Sequence, residues 1–308
     1  MSTKTLLAIV GPTAIGKTAL GITLAKYFDT EIISADSRQF FKEMNIGTAV
    51  PSLEELREAN HHCIQHKSIF EPYSVGDFEK DAIALLTHLF KENNIAVMVG
   101  GSGLYVDAVV NGLDEFPHVD PEIRLALNQT LEKEGLKSLQ TELKKRDPEY
   151  AQKVDMENPH RLIRALEVCR TSNQPYSSFL NRPKAKRPFK TLYIGIDAPR
   201  EIIYQRINKR VDLMMEAGLL DEARKLHEHK RLNALQTVGY KELFEYLDDN
   251  CTLEFAVSEI KKNTRRFAKR QLTWLRKNNS ILWVPFDGKP EKVIQMVTDQ
   301  LKTDLYAS

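Results

Sequence analysis

An apolar run, Leu6-Leu7-Ala8-Ile9-Val10, passes directly into Gly11-Pro12-Thr13-Ala14-Ile15-Gly16-Lys17-Thr18, a complete G-x-x-x-x-G-K-[ST] string. Few short sequences restrict a fold so much, because strand, glycine loop and helix must follow in that order if the loop is to hold phosphate. Gly11 and Gly16 let the backbone curl so that successive N–H groups point inward, and a helix beginning near Lys17 adds its positive N-terminal end. Lys17 neutralises an outer phosphate, and Thr18 offers its hydroxyl to a Mg²⁺ ion. The pattern predicts a polyphosphate or diphosphate ligand on residues 11–18, against the alternative of a strand-to-helix turn that binds nothing.

The loop does not say what reacts. Downstream, the β-branched run Glu31-Ile32-Ile33-Ser34 leads through Ala35 to Asp36, followed by Ser37-Arg38-Gln39. This puts Asp36 at the carboxyl end of a strand, where open α/β sheets collect ligands. As a lone carboxylate it reads three ways: Mg²⁺ ligand, general base, or N-cap of the next turn. A later strand, Ile95-Ala96-Val97-Met98-Val99, runs into Gly100-Gly101-Ser102-Gly103 and not into the acid that nucleotide hydrolysis needs beside a phosphate loop, which disfavours ATP hydrolysis. That glycine-rich turn exposes backbone N–H groups and the Ser102 hydroxyl to a ligand, or is a plain turn.

Strand and helix patterns alternate to about Gly112, then give way to helical signals from the Asp120-Pro121 start to about Leu180; a β-rich run returns at Thr191-Leu192-Tyr193-Ile194-Gly195-Ile196. The expected architecture is α/β: a P-loop NTPase-like parallel sheet flanked by helices, formed by residues 1–114 and 189–308, with a helical insertion domain over 115–188. The proline-bounded basic segment 181–188 reads as the return linker. At 308 residues two domains are the default, and 42% apolar residues supply a core. With 44 basic against 42 acidic residues, net +2, any nucleic-acid affinity must come from how charge is distributed. Three scattered cysteines and no long apolar span point to a reducing cytoplasm, with no membrane contact.

Several side chains are candidates on pattern alone. His62 and His66 would share a helix face, but a third ligand at metal spacing is missing, so packing is preferred for them. Arg161 and Arg164 stand three apart behind Asn158-Pro159-His160 and read as solvated surface or as a clamp for phosphates; Arg124 shares that ambiguity. Arg206 and Arg210, four apart, can present two guanidinium groups to a diphosphate, while Asp197 reads as a cap. The stretch 261–277 holds eight Lys or Arg and no acid. Its rows Lys261/Arg265/Lys269 and Lys262/Arg266/Arg270 make a cationic stripe on a helix that Phe267, Leu272, Trp274 and Leu275 would anchor. Phosphate-backbone binding is the preferred reading, a solvated helix the alternative.

The ordered strings G-P-T-A-I-G-K-T, A-D-S-R-Q, M-N-I-G-T-A, Y-S-V-G-D-F, G-G-S-G-L-Y, N-P-H-R-L-I-R-A-L-E-V, V-G-Y-K-E and T-R-R-F-A-K-R-Q-L-T-W-L-R, spanning about Leu6 to Arg276, resemble the tRNA dimethylallyltransferase (tRNA isopentenyltransferase) family. The resemblance implies transfer of a dimethylallyl group from dimethylallyl diphosphate to the N6 amine of adenosine 37, beside the anticodon. It implies diphosphate contacts from residues 11–18, Arg206 and Arg210, with Arg210 the better leaving-group candidate, and Mg²⁺ at Thr18. It further implies Asp36 as the base or amine-orienting group. For tRNA, through its anticodon stem-loop, it implies contacts from Asp36, Ser37, Arg38, Gln39, Ser102, Arg124, His160, Arg161, Arg164, Lys262, Arg266 and Arg270. A monomer is expected. Three readings compete: a P-loop kinase of a small metabolite, a noncatalytic RNA-binding module with a relict loop, and a transferase acting on free AMP.

Overall fold

The computed structural model describes residues 4–180 and 186–306. The chain forms two compact units, one made of Met1–Asn111 with Arg187–Ser308 and one of Gly112–Lys186. Residues 181–185 of the expected return linker lie outside the described residues.

In the first unit, β1 (Thr5–Val10), α1 (Lys17–Tyr27), β2 (Ile32–Ser34), α2 (Leu53–Glu58), β3 (His61–His62), α3 (Val75–Glu92), β4 (Ile95–Gly100) and α4 (Gly103–Asn111) alternate along the chain. The second unit supplies α5 (Pro121–Glu134), α6 (Leu136–Arg146), α7 (Pro148–Lys153) and α8 (Pro159–Ser172). The first unit then resumes with β5 (Lys190–Asp197), α9 (Arg200–Glu216), α10 (Leu219–Leu226), α11 (Tyr240–Leu247), α12 (Leu253–Leu275), β6 (Leu282–Pro285) and α13 (Pro290–Tyr306).

All six strands run parallel in the order β3-β2-β4-β1-β5-β6. β1 is central and wholly buried because both faces of a parallel sheet are covered. Its alternate residues separate accordingly. Leu6, Ala8 and Val10 pack with Phe78, Ala82 and Leu86 of α3, while Leu7 and Ile9 pack with Leu24 and Ala25 of α1 and Ile203 and Ile207 of α9. Gly21 is required where α1 crosses the sheet, since a Cβ there would lie 2.5 Å from Val99. A third cluster, centred on the fully buried Tyr240, joins α9 to α12 and collects Phe41 and Met44 from the segment after Asp36.

The helical unit has its own core of Leu127, Leu139, Leu143, Leu162, Ile163 and Leu166. Three of its helices, α5, α7 and α8, start where side chains accept the first free N–H groups: Asp120 from Glu122, Asp147 from Tyr150 and Asn158 from Arg161, each followed by proline at the first helical position.

Two sequence expectations fail here. Residues 61–66 do not form a helix: His61 and His62 are a short strand, and no group of three metal-ligating side chains occurs among the described residues. Asp197 caps nothing; α9 begins after Pro199 without a side-chain cap, and it is the Asp197 carbonyl that is used, accepting from Phe286 N–H.

Candidate active site

The ends of β1, β2 and β4 open into one cavity of about 630 Å³, whose lining comes wholly from the first unit. This is the carboxyl edge of the sheet, where strand-to-helix turns leave backbone donors free.

At one end of the cavity sits the phosphate loop. Ala14 (φ 66°) and Gly16 (φ 109°) take left-handed backbone conformations, and Gly16 is the N-cap of α1 with no side chain filling that position. The loop therefore presents its N–H groups and the start of α1 to the cavity. Lys17 Nζ donates to the Pro12 carbonyl at 2.9 Å. Arg206 Nε donates to the Ala14 carbonyl at 2.8 Å, which ties α9 to the loop, and Arg210 lies one turn further along the same wall. Thr18 lines the cavity beside Lys17. Thr13 departs from expectation: its N–H is spent on the Gln271 side chain at 2.9 Å and is unavailable to an anion.

Positive charge is concentrated there at a cost. Burial, then the neighbouring Arg210, pull the Lys17 ammonium down to about 8 from its ordinary value, with Asp36 acting in the opposite direction. Burial and Arg206 likewise work against the charge on Arg210. An arriving diphosphate removes both penalties. The sign follows: below pH 8 Lys17 is already charged, and above it the empty site has lost a proton that the bound anion restores. Inorganic diphosphate should therefore bind with little proton uptake by Lys17 near pH 7 and with nearly one proton near pH 9, weakening as pH rises through about 8. Calorimetry in buffers of different ionisation enthalpy measures this; equal proton counts at both pH values would contradict it.

Asp36 stands across the cavity from these cations, near enough that its charge acts on Lys17, Arg210 and Arg38. Its Oδ1 accepts from the Arg38 and Gln39 N–H groups at 2.9 and 3.4 Å. It is thus a turn cap, and it also keeps a second carboxylate oxygen for other work. Ser37 and Ser102 are joined, the Ser102 hydroxyl accepting from Ser37 N–H and bonding its hydroxyl, both at 3.2 Å.

Two residues expected to contact RNA are committed internally. Gln39 donates to the carbonyls of Thr48 and Ala49 and accepts from the Ser34 hydroxyl, so its amide holds the cavity wall and is not free to read a base edge. The Arg38 guanidinium donates to the carbonyls of Asn233 and Ala234 at 2.8 and 3.0 Å.

The structure also brings forward two residues to which the sequence analysis gave no role. Glu222 accepts from the N–H groups of Asn45, Ile46 and Gly47 and from the Tyr240 hydroxyl. One carboxylate thus unites the M-N-I-G-T-A and V-G-Y-K-E strings, and Gly47 is needed because a Cβ would lie 2.6 Å from the Tyr240 ring. Gln271, buried on α12, accepts from Thr13 N–H and donates to the Gly101 carbonyl at 2.7 Å. A lone glutamate and a lone glutamine carry no local signature of such roles.

The stripe on α12 is real but thinner than its sequence. Acids outside the stretch claim part of it: Lys261 pairs with Asp212 and Lys262 with Glu259. Arg265 turns inward to Asn208 and Tyr204. Arg266, Lys269 and Arg270 stay exposed. The anchoring side is Ala256, Ile260, Ala268, Gln271 and Leu275, whereas Phe267 and Trp274 remain 39% and 36% exposed. Phe267 lines the cavity.

Within the helical unit, Arg161 and His160 are exposed, whereas Arg164 is part-buried and paired. Its guanidinium bonds the buried Glu167 at 2.6 Å and stacks over Phe116, and Arg124 reaches the same carboxylate at 3.6 Å.

Comparison with known proteins gives a consistent picture. The IPP transferase family pattern matches residues 39–278. A tRNA dimethylallyltransferase of Christiangramia forsetii is 60% identical, covering 97% of this chain and 99% of its own length. One from Flavobacterium johnsoniae is 56% identical, with 98% and 100% covered. Among solved structures, the full-length tRNA isopentenylpyrophosphate transferase of Bacillus halodurans superposes with a TM-score of 0.73 at 36% identity, over 99% of this chain and 100% of that one. A eukaryotic dimethylallyltransferase captured acting on tRNA gives a TM-score of 0.83 at 26% identity, over 98% and 80%.

Proposed function

This chain belongs to the IPP transferase family, the tRNA dimethylallyltransferases, and from that premise we propose its reaction and the residues that carry it. The protein is a prenyltransferase acting on tRNA. In the proposed reaction it takes the dimethylallyl group from dimethylallyl diphosphate and places it on the exocyclic N6 amine of adenosine 37, beside the anticodon. The products are N6-dimethylallyladenosine and diphosphate.

One observation carries this reading: a single cavity is cationic at the phosphate loop and carboxylate-bearing at the end of β2. Breaking the C1–O bond of an allylic diphosphate sends both electrons to the departing oxygen. Loop N–H groups, Lys17 and Arg210 are fixed where that charge grows, so the protein need not reorganise during the reaction. As the C1–N6 bond forms, the amine becomes acidic and its proton passes to Asp36, a general-base step of about 10²–10⁴-fold. Adenosine 37 must leave its stack to enter, which an anticodon loop allows more cheaply than a duplex.

Thr18 fits a Mg²⁺ ion carried by the diphosphate. Such an ion would need only one or two protein ligands, and the Thr18 hydroxyl, which lines the cavity, would be one of them. When bound it neutralises leaving-group charge.

Exposed Arg266, Lys269 and Arg270 on α12 and exposed Arg161 in the helical unit are cations available to RNA phosphates, and the exposed His160 ring can hydrogen-bond to RNA beside Arg161. Replacing Arg266 and Arg270 with alanine should weaken tRNA binding and reduce the log–log salt slope by up to about 0.7–0.9 for each phosphate no longer neutralised. Lys262→Ala should lower the slope less than either arginine change, since its ammonium is paired with Glu259. An unchanged slope in the double variant would make the helix a merely solvated face. We read the protein as a monomer, and action on tRNA supports work in the cytoplasm.

Labelled dimethylallyl diphosphate offered with unmodified tRNA, and separately with AMP, tests the assignment. Label should enter tRNA at adenosine 37 and not AMP. Label in AMP would favour a mononucleotide transferase, and no transfer with steady ATP consumption would favour a kinase.

A further inference from the structure

The buried amide of Gln271 touches neither end of the proposed chemistry, yet it joins three parts of the site. Its Oε1 accepts from Thr13 N–H at the entrance to the phosphate loop, at 2.9 Å. Its Nε2 donates to the carbonyl of Gly101, in the turn after β4, at 2.7 Å. The side chain comes from α12, the helix whose outer surface carries Arg266, Lys269 and Arg270.

The surroundings are built around this bridge. A Cβ on Gly101 would stand 2.6 Å from Gln271 Nε2 and 3.4 Å from Lys17 Nζ, so Gly101 leaves room for the amide and the ammonium together. Lys17 is held to the Pro12 carbonyl, next to Thr13, so loop and cation move as one piece. A buried amide bonded at both ends is costly to leave unsatisfied, and this holds loop, turn and helix in fixed register.

We propose that Gln271 is a positioning residue that couples RNA docking on α12 to the diphosphate grip of the loop. It rests on the function proposed above. The physical reason is shared ordering: the amide is rigid only as far as α12 is, and RNA phosphates on its outer cations fix the helix. A second ligand then meets a loop whose ordering has already been supplied, and two such ligands bind with positive cooperativity. The coupling is reciprocal, so diphosphate tightens RNA by the same factor.

The test uses the full-length protein, an unmodified anticodon stem-loop RNA, and inorganic diphosphate with Mg²⁺, a pair that cannot react. In the wild type the RNA should lower the Kd for diphosphate about fivefold or more. Gln271→Met keeps length and apolar packing but loses both bonds; it should bring that ratio close to one while RNA affinity alone changes less than about twofold. Gln271→Glu keeps the acceptor for Thr13 N–H but loses the donor to Gly101, and should retain part of the coupling even where the methionine variant folds poorly. A methionine variant with wild-type coupling, or no coupling in the wild type, overturns the proposal. If either ligand fails to bind alone, the functional reading fails and this inference falls with it. Thermal midpoints identify a purely structural role, which lowers stability but leaves the affinity ratio intact.

Discussion

Asp36→Asn should lower turnover by about two to four powers of ten while leaving tRNA affinity within about twofold. The structure makes this a clean substitution. Asp36 Oδ1 accepts two backbone N–H groups from Arg38 and Gln39, and asparagine keeps an oxygen able to do so. The turn survives, and only the basic oxygen is lost. Sequence alone leaves cap and base as rivals for this residue; the geometry shows the cap directly, so the variant asks whether a second role exists. Single-turnover transfer rates, measured beside tRNA binding, decide it. Near-normal turnover would reduce Asp36 to a cap.

Lys17→Met should have an effect of similar size at the phosphate loop, about 10²–10³-fold in turnover, as for loss of one preorganised donor to a developing anion. Its distinguishing feature is the accompanying stability. Burial and Arg210 hold the Lys17 ammonium down to about 8, which means the fold opposes the charged form at neutral pH. Methionine removes that opposition, so the thermal midpoint should stay level or rise while activity collapses. Such a trade is expected where function demands a strained group. The proton uptake on diphosphate binding near pH 9 should vanish in the same variant. A variant that is both inactive and destabilised would show Lys17 acting mainly as a structural strut through its bond to Pro12.

The walls of this cavity are tied together by internal polar bonds. Gln39, Arg38, Gln271 and Glu222 each spend their side chains on backbone groups of neighbouring loops. Loops cannot hold reacting groups in position by apolar packing alone, because their own N–H and C=O groups must be satisfied. Polar side chains supply those partners, and Gln39 and Arg38 are engaged in this way.

Fold class, phosphate loop and helical unit are all legible along the chain itself. Those features follow from local rules: strand and helix periods, glycine at positions of positive φ, proline after a cap, and an ordered set of strings. The resemblance that those strings carry also drew Lys17, Thr18, Asp36 and Arg210 into one reaction. Which polar groups remain free was settled only by tertiary packing. Thr13 spends its N–H on a residue 258 positions away, Lys262 pairs with Glu259, and Arg164 pairs with a buried carboxylate. A hydrogen-bonding group carries the same sequence signature whether its partner is solvent, ligand or a distant backbone. Its availability is therefore fixed only when the chain has folded and the competing partners stand within hydrogen-bond distance.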